Sequence, residues 1–358
     1  MIAKRLLLVA LLLAASAAYS SENHKSSVDI GPAVRFVDTL PLYQAQAPVS
    51  GTLGLWGHGS FKHDFMSKLV HRWMMGFKRH HPHAELDFRM YGTASAVGAV
   101  YTGRGNIAIL GEEISPTAAR AFQRAKGYPA TVVQIATGSV DVNFFDYAHM
   151  VFVHEDNPLQ QLSLRQLDAI FGAEHRRGSK NIRLWSELGV RGEWADQPIQ
   201  PYMWKIDEDF SLFFREAVLE HSHRWNVDTQ EHVHVMRPDG TQYDHGQQIL
   251  DKLARDRDGI AVSNVRYAVP GVKTLALARD DAGPYYQATP QSLISQDYPL
   301  TRIIPAVIDR APGQPIEPVI SEFLRYVLSR EGQQALLSES GYLPLGAPII
   351  QRELEKLR

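Results

Sequence analysis

Three short stretches place hydroxyl and charged side chains where the chain turns from an apolar run into a helix-like one. They are residues 57–61 in LWGHGSF, 92–95 in YGTAS and 207–211 in KIDEDFS. The first N–H groups of a helix have no partner within it, so a Ser or Thr there can cap its own helix. Where several such loops converge, the same N–H and O–H donors can hold a tetrahedral oxyanion. Either chemistry fits any one loop. The fourteen residues after Glu220 hold His221, His223, His232 and His234. Two H-x-H pairs on strands could each offer two imidazoles to a zinc ion. Without an obvious carboxylate to complete such a site, the expectation is a solvated His-rich loop and no metal. Asp207, Glu208 and Asp209 could be a general acid–base pair, but acidic residues at a helix start are ordinary charge complementarity.

No G-x-S-x-G, H-E-x-x-H or G-x-x-x-x-G-K-[ST] motif is present, so neither an enzyme nor a cofactor is expected. The absence of cysteine excludes disulfides, thiolate metal sites, cysteine nucleophiles and a lipidated cysteine. The first twenty residues read as a signal peptide: Lys4 and Arg5, an apolar run over 6–13, then small residues to Ser20. This run is too short to span a bilayer, so a soluble periplasmic or secreted product without stable membrane insertion is expected. Removing it takes two of 37 basic residues and leaves 35 against 39 acidic ones, a charge of −4 with His neutral. That balance argues against a nucleic-acid partner.

These loops must be positioned by α/β elements. Residues 21–50, polar and interrupted by prolines, read as an extended N-terminal arm. GTLGLWG then reads as a strand. A helix follows, with Phe61, Phe65, Leu69, Trp73 and Phe77 on one face. AELDFRMYG, TASAVGAVYTG and NIAILG continue a β-α-β pattern. The β-rich stretch 140–158 could cross from one lobe to another. LSLRQLDAIFG and DEDFSLFFREAVLE read as helices, QPIQPYMW, DGIAVS and VKTLALA as strands, and the C-terminus as two helices and a turn.

The order of LSLRQLDAIFG…IRLWSELG, PIQPYMW, DGIAVSNVRYA…VKTLALA, YPLTRIIPAVI and EFLRYVLSREGQQALLSESGYLPL resembles the phosphate-binding subunit family of bacterial phosphate ABC importers, over roughly residues 51–348. The resemblance implies an α/β type II periplasmic binding protein fold, with two α/β lobes joined by two crossover strands around a ligand cleft. The corresponding division is lobe 1 over 51–148 and 262–348, lobe 2 over 149–261, and a tail over 349–358. It also implies binding of phosphate or a related small oxyanion, an ABC permease as partner and a monomeric state. A diverged member could act instead as an envelope sensor, adhesion or assembly factor; a cleft filled by Phe210 would favour that reading.

Against the family's G-A-G-A-T-F loop, GHGSF places Ser60 and Phe61 at the Thr-Phe positions. Against G-S-S-G-G, GTASA places Thr93 at the first Ser, with Ser95 beside it. Against R-x-D-G-S-G-T, KIDEDFS places Lys205 at the Arg, Asp207 at the Asp, Asp209 at the Ser, Phe210 at the second Gly and Ser211 at the Thr. The family's proton-accepting carboxylate falls on Gly111, with Glu112 and Glu113 just beyond. The third loop therefore exchanges a bidentate guanidinium for a point charge and a donor for an anion. Asp209 is expected to pair with Lys205.

Overall fold

The structure, a computed structural model, describes residues 29–58, 65–140 and 148–358. Strand β1 (Gly51–Gly57) turns Leu53 and Leu55 inward at period two. Helix α2 (Phe65–His80) buries Met66, Leu69, Val70, Trp73 and Phe77, and ends on Lys78, Arg79 and His80, favourable charge for a helix C-terminus. Then follow β2 (Ala84–Arg89), α3 (Thr93–Tyr101) and β3 (Ile107–Ile109), with β2 and β3 both parallel to β1. Helix α4 (Pro116–Lys126) is capped by Ser115 and stopped by Gly127 at φ 83°, and β4 (Thr131–Thr137) completes this part.

The second half of the fold carries β5 (Met150–His154), β6 (Gln161–Ser163) and α5 (Leu164–Phe171), the helix starting in a Ser163/Gln166 capping box. Next come β7 (Gln200–Trp204), α6 (Asp209–Ala217), β8 (Gln230–His232), the β9 (Val235–Met236) and β10 (Gln242–Tyr243) hairpin, and α7 (His245–Leu253). They are followed by β11 (Gly259–Ser263), β12 (Val272–Thr274), β13 (Ala276–Ala278) and α8 (Pro290–Ile294). The chain then returns through β14 (Ile303–Ile308) to α9 (Pro318–Val327), α10 (Arg330–Glu339) and α11 (Ala347–Glu355).

The two main sheets have the orders β2-β1-β3-β14-β4 and β12-β5-β11-β7-β8. The chain leaves the first sheet after β4 and re-enters it at β14, so two passages join two α/β layers, each with its own apolar core. This is the expected two-lobed arrangement. The return, however, comes at Arg302–Ile303 and not at 262. β11 sits between β5 and β7, β12 pairs with β5, and β13 pairs with β6. Apolar runs announce these strands, but the sheet each one joins depends on pairing far away in sequence.

The arm is not wholly extended: residues Gly31–Asp38 form helix α1. Pro32 lies in its first turn, where a missing N–H costs nothing. Ala33 enters the core of the second sheet and Val37 that of the first. The expected tail is likewise helix α11, which buries Ile349 and Ile350 on the first sheet. Glu353 there accepts from the Gln134 N–H at 2.9 Å. Among the described residues no helix is long and apolar enough to cross a membrane.

Candidate functional site

The loops expected to hold an anion should lie at the carboxyl ends of parallel strands, where open α/β sheets bind ligands. On the first sheet, β1 ends in Gly57, whose carbonyl accepts from the Gly92 N–H at 2.9 Å, so the first two loops are tied together. His58 Nδ1 lies 3.3 Å from Thr93 Oγ1, and the His58 N–H donates to the Ile109 carbonyl. Gly111 lets the His58 ring pack close: a Cβ at that position would meet the ring at 2.6 Å. Thr93, His58 and the segment leading to Glu112 thus form one group. Ser95 is spent locally, donating to the Gly92 carbonyl at 3.1 Å. Ser60 and Phe61 lie outside the described residues.

On the second sheet, β7 runs out at Trp204 into the third loop. Lys205 Nζ lies 3.1 Å from both carboxylate oxygens of Asp207, so the expected Lys205–Asp209 pair is replaced by a pair two residues apart. Asp209 instead opens α6 and faces a cavity of about 400 Å³ between the two sheets. Ser211 is fully buried and donates to the Trp204 carbonyl at 3.1 Å, so its hydroxyl serves the strand end and not the cavity.

Helices α3 and α6 share a property. Among α-helices whose starts are described, the others begin with a side-chain cap or with proline in the first turn; these two have neither. Their first N–H groups are left for water or a ligand. The residue before α3 is Gly92 at φ 140°, a conformation only glycine adopts without strain.

The cavity is walled by Glu112, Glu113, Asp209, Phe213 and Arg302, among others. Arg302 is almost fully buried; its Nε donates to Glu113 at 2.7 Å, and its Nη2 is 3.5 Å from Glu112. Its guanidinium lies 4.7 Å from the Phe213 ring centre and 5.9 Å from that of Phe210. Phe210 leans on Trp204 at 5.0 Å and leaves the cavity open. A larger groove of about 830 Å³, between α1, α8 and α11, is lined by Arg35, Arg279 and Arg352 and lies away from these strand ends.

The four histidines do not converge. His221 contacts Glu216, and His223 Nδ1 is 3.1 Å from Arg215 Nη1. His232 ends β8 beside the Tyr202 ring, while His234 stacks on His245. Arg302, His149 and His245 escaped the sequence reading. The last signals itself only as a histidine following Asp244 at a helix start.

Two α/β sheets, joined by two passages around a cavity at their strand ends, define the bilobal binding proteins of the type II periplasmic fold. A family model described as a PBP superfamily domain matches residues 45–331, and the chain belongs to that superfamily. The phosphate-binding protein PstS of Pseudomonas aeruginosa, in two strains, is 28% identical over 335 residues, covering 93% of this chain and 95% of the relative. The crystal structure of PstS from Borrelia burgdorferi superposes with a TM-score of 0.54 at 11% identity, over 83% of this chain and 99% of that one, and so shares the fold.

Proposed function

We propose that this chain is an exported, non-catalytic solute receptor that binds phosphate, or a closely related oxyanion, between its two sheets and delivers it as a monomer to an ABC permease. The observation that carries the reading is the pair of uncapped helix starts, α3 at Thr93 and α6 at Asp209, each following a strand of a parallel pair. Oriented N–H groups at such starts favour a negative ligand through both hydrogen bonding and the helix dipole. The near-full-length similarity to PstS supports phosphate as that ligand.

In this reading Thr93 and the N–H groups of both helices donate to the anion. Ser60 and Phe61, at the Thr-Phe positions of the family motif, are proposed to join them. Lys205, held by Asp207, contributes charge only at longer range, and Asp209 opposes a dianion. The test is calorimetric titration of untagged protein with phosphate, sulfate, tungstate and arsenate. One phosphate per chain, with the other anions weaker, is expected. Failure of all four to bind would leave the sensor or assembly reading in its place.

A further inference from the structure

His234, Asp244 and His245 each bring one potential ligand atom within 4.8 Å of the others. We propose that these three residues bind a divalent transition-metal ion of the zinc class, with Glu208 holding the His245 ring in register. The assignment stands apart from the oxyanion reading.

The donor set is two imidazole nitrogens and one carboxylate, which suits zinc or cobalt and does not suit calcium or magnesium, both of which take oxygen. Both rings present a nitrogen to the same carboxylate. His234 Nδ1 is 3.6 Å from Asp244 Oδ2, and His245 Nε2 is 3.9 Å from Asp244 Oδ1. These separations are too long for direct hydrogen bonds. Ligands around a tetrahedral ion with bonds of ~2.0–2.1 Å stand ~3.3–3.5 Å apart, so the three groups, now within 4.8 Å of one another, must draw together around the ion.

The protonation pattern also fits. The main-chain N–H of His245 donates to His234 Nδ1 at 3.4 Å, so that nitrogen carries a lone pair, which an ion would take over in place of this long contact. Glu208 Oε2 lies 2.8 Å from His245 Nδ1 without the alignment of a hydrogen bond, and a small turn of the ring would make that nitrogen the donor and leave Nε2 bare toward Asp244. Asp244 uses Oδ1 to accept from the Gly246 N–H at 2.9 Å as the cap of α7, and its Oδ2 remains for the ion. The two rings stack at 3.9 Å, and since each imidazole binds an ion in its own plane, one ring must turn on binding. The side chain of His245 is buried while that of His234 is 43% exposed, so an ion can enter from solvent and keep water in its remaining position.

The experiment uses untagged full chain, stripped with chelator and dialysed, titrated with Zn²⁺ by calorimetry and with Co²⁺ by visible absorption. One equivalent should bind, with a visible cobalt band, undisturbed by millimolar Ca²⁺ or Mg²⁺. His234→Ala and Asp244→Asn, checked for folding by circular dichroism, should each weaken binding at least ~100-fold. Glu208→Gln should weaken it ~10–100-fold, the usual effect of losing an orienting carboxylate. Absence of stoichiometric Zn²⁺ binding, or binding that survives both His234→Ala and Asp244→Asn, would overturn the site; an unchanged Glu208→Gln would remove Glu208 from it.

Discussion

Arg302 Nη1 lies 3.1 Å from His149 Nε2, and these two residues stand on the two passages by which the chain moves between its sheets. The junction is reinforced on both sides. The Gly138 N–H donates to the Arg302 carbonyl at 2.9 Å, and the Tyr298 hydroxyl to the His149 carbonyl at 2.9 Å. Because Arg302 also grips Glu113 at the cavity wall, the junction between the sheets and the edge of the cavity share a side chain.

Arg302→Leu keeps the apolar stem and removes the cation. It leaves the Glu113 and Glu112 carboxylates facing each other's charge. Breaking a buried pair costs ~3–5 kcal/mol, and these glutamates keep about a quarter of their side-chain surface in water, so a loss of ~3 kcal/mol is expected. Urea denaturation measures it; a loss under ~1 kcal/mol would mean that the junction does not depend on the charge.

His149 is wholly buried, and burial, then the neighbouring Arg302, hold its pKa well below the ordinary value of 6.5. The folded state therefore keeps it neutral while the unfolded chain takes up a proton below about pH 6.5. Its contribution to stability is complete above that pH and is lost as the pH falls below it, by up to ~1.4 kcal/mol per unit. His149→Gln should reduce the difference in stability between pH 7.5 and 5.5 by ~1 kcal/mol in urea melts. An identical pH dependence in the variant would assign the effect elsewhere.

Thr93→Val removes a hydroxyl at the start of an uncapped helix, and phosphate affinity should fall by ~1.5–3 kcal/mol, the range for a hydrogen bond to a charged group. Ser95→Ala should leave affinity unchanged, because that hydroxyl already serves the Gly92 carbonyl. Equal effects of the two substitutions in calorimetry would contradict this division of roles.

Asp209→Ser deletes the exposed carboxylate at the cavity and adds a donor. One unit charge at ~4 Å is worth up to ~4 kcal/mol at an effective dielectric of ~20, and solvent screening reduces that to ~1 kcal/mol here. Phosphate should then bind about fivefold tighter at neutral pH, with less gain at pH 5.5, where the monoanion dominates. Weaker binding would instead identify Asp209 as the group that accepts the phosphate proton.

Much of this architecture is legible in local pattern. The spacing of Leu69, Trp73 and Phe77 reports α2, and the alternation in GTLGLWG reports β1. What local pattern lacks is sheet membership: the fully buried β11 looks the same whichever lobe it joins. Proline misled at the N-terminal end, since Pro32 sits in a first turn, where it begins a helix and does not break it. At the site, the resemblance supplied loop positions, of which Asp209 lines the cavity and Thr93 stands beside His58. They misplaced Ser211, whose hydroxyl answers to a carbonyl seven residues back. The His149–Arg302 contact spans 153 positions and has no local signature.

Helix α1 touches α8 on one side and α10 on the other, with Ala33 in one core and Val37 in the second, and it precedes the span matched by the superfamily model. It therefore acts as a thermodynamic clasp, so that melting either layer first strips apolar partners from the other. A chain shortened to begin at Leu40 would keep Leu40 and Tyr43 in the first layer's core and lose the clasp. In scanning calorimetry the intact protein should melt as a single heat-capacity peak, and the shortened one should separate into two.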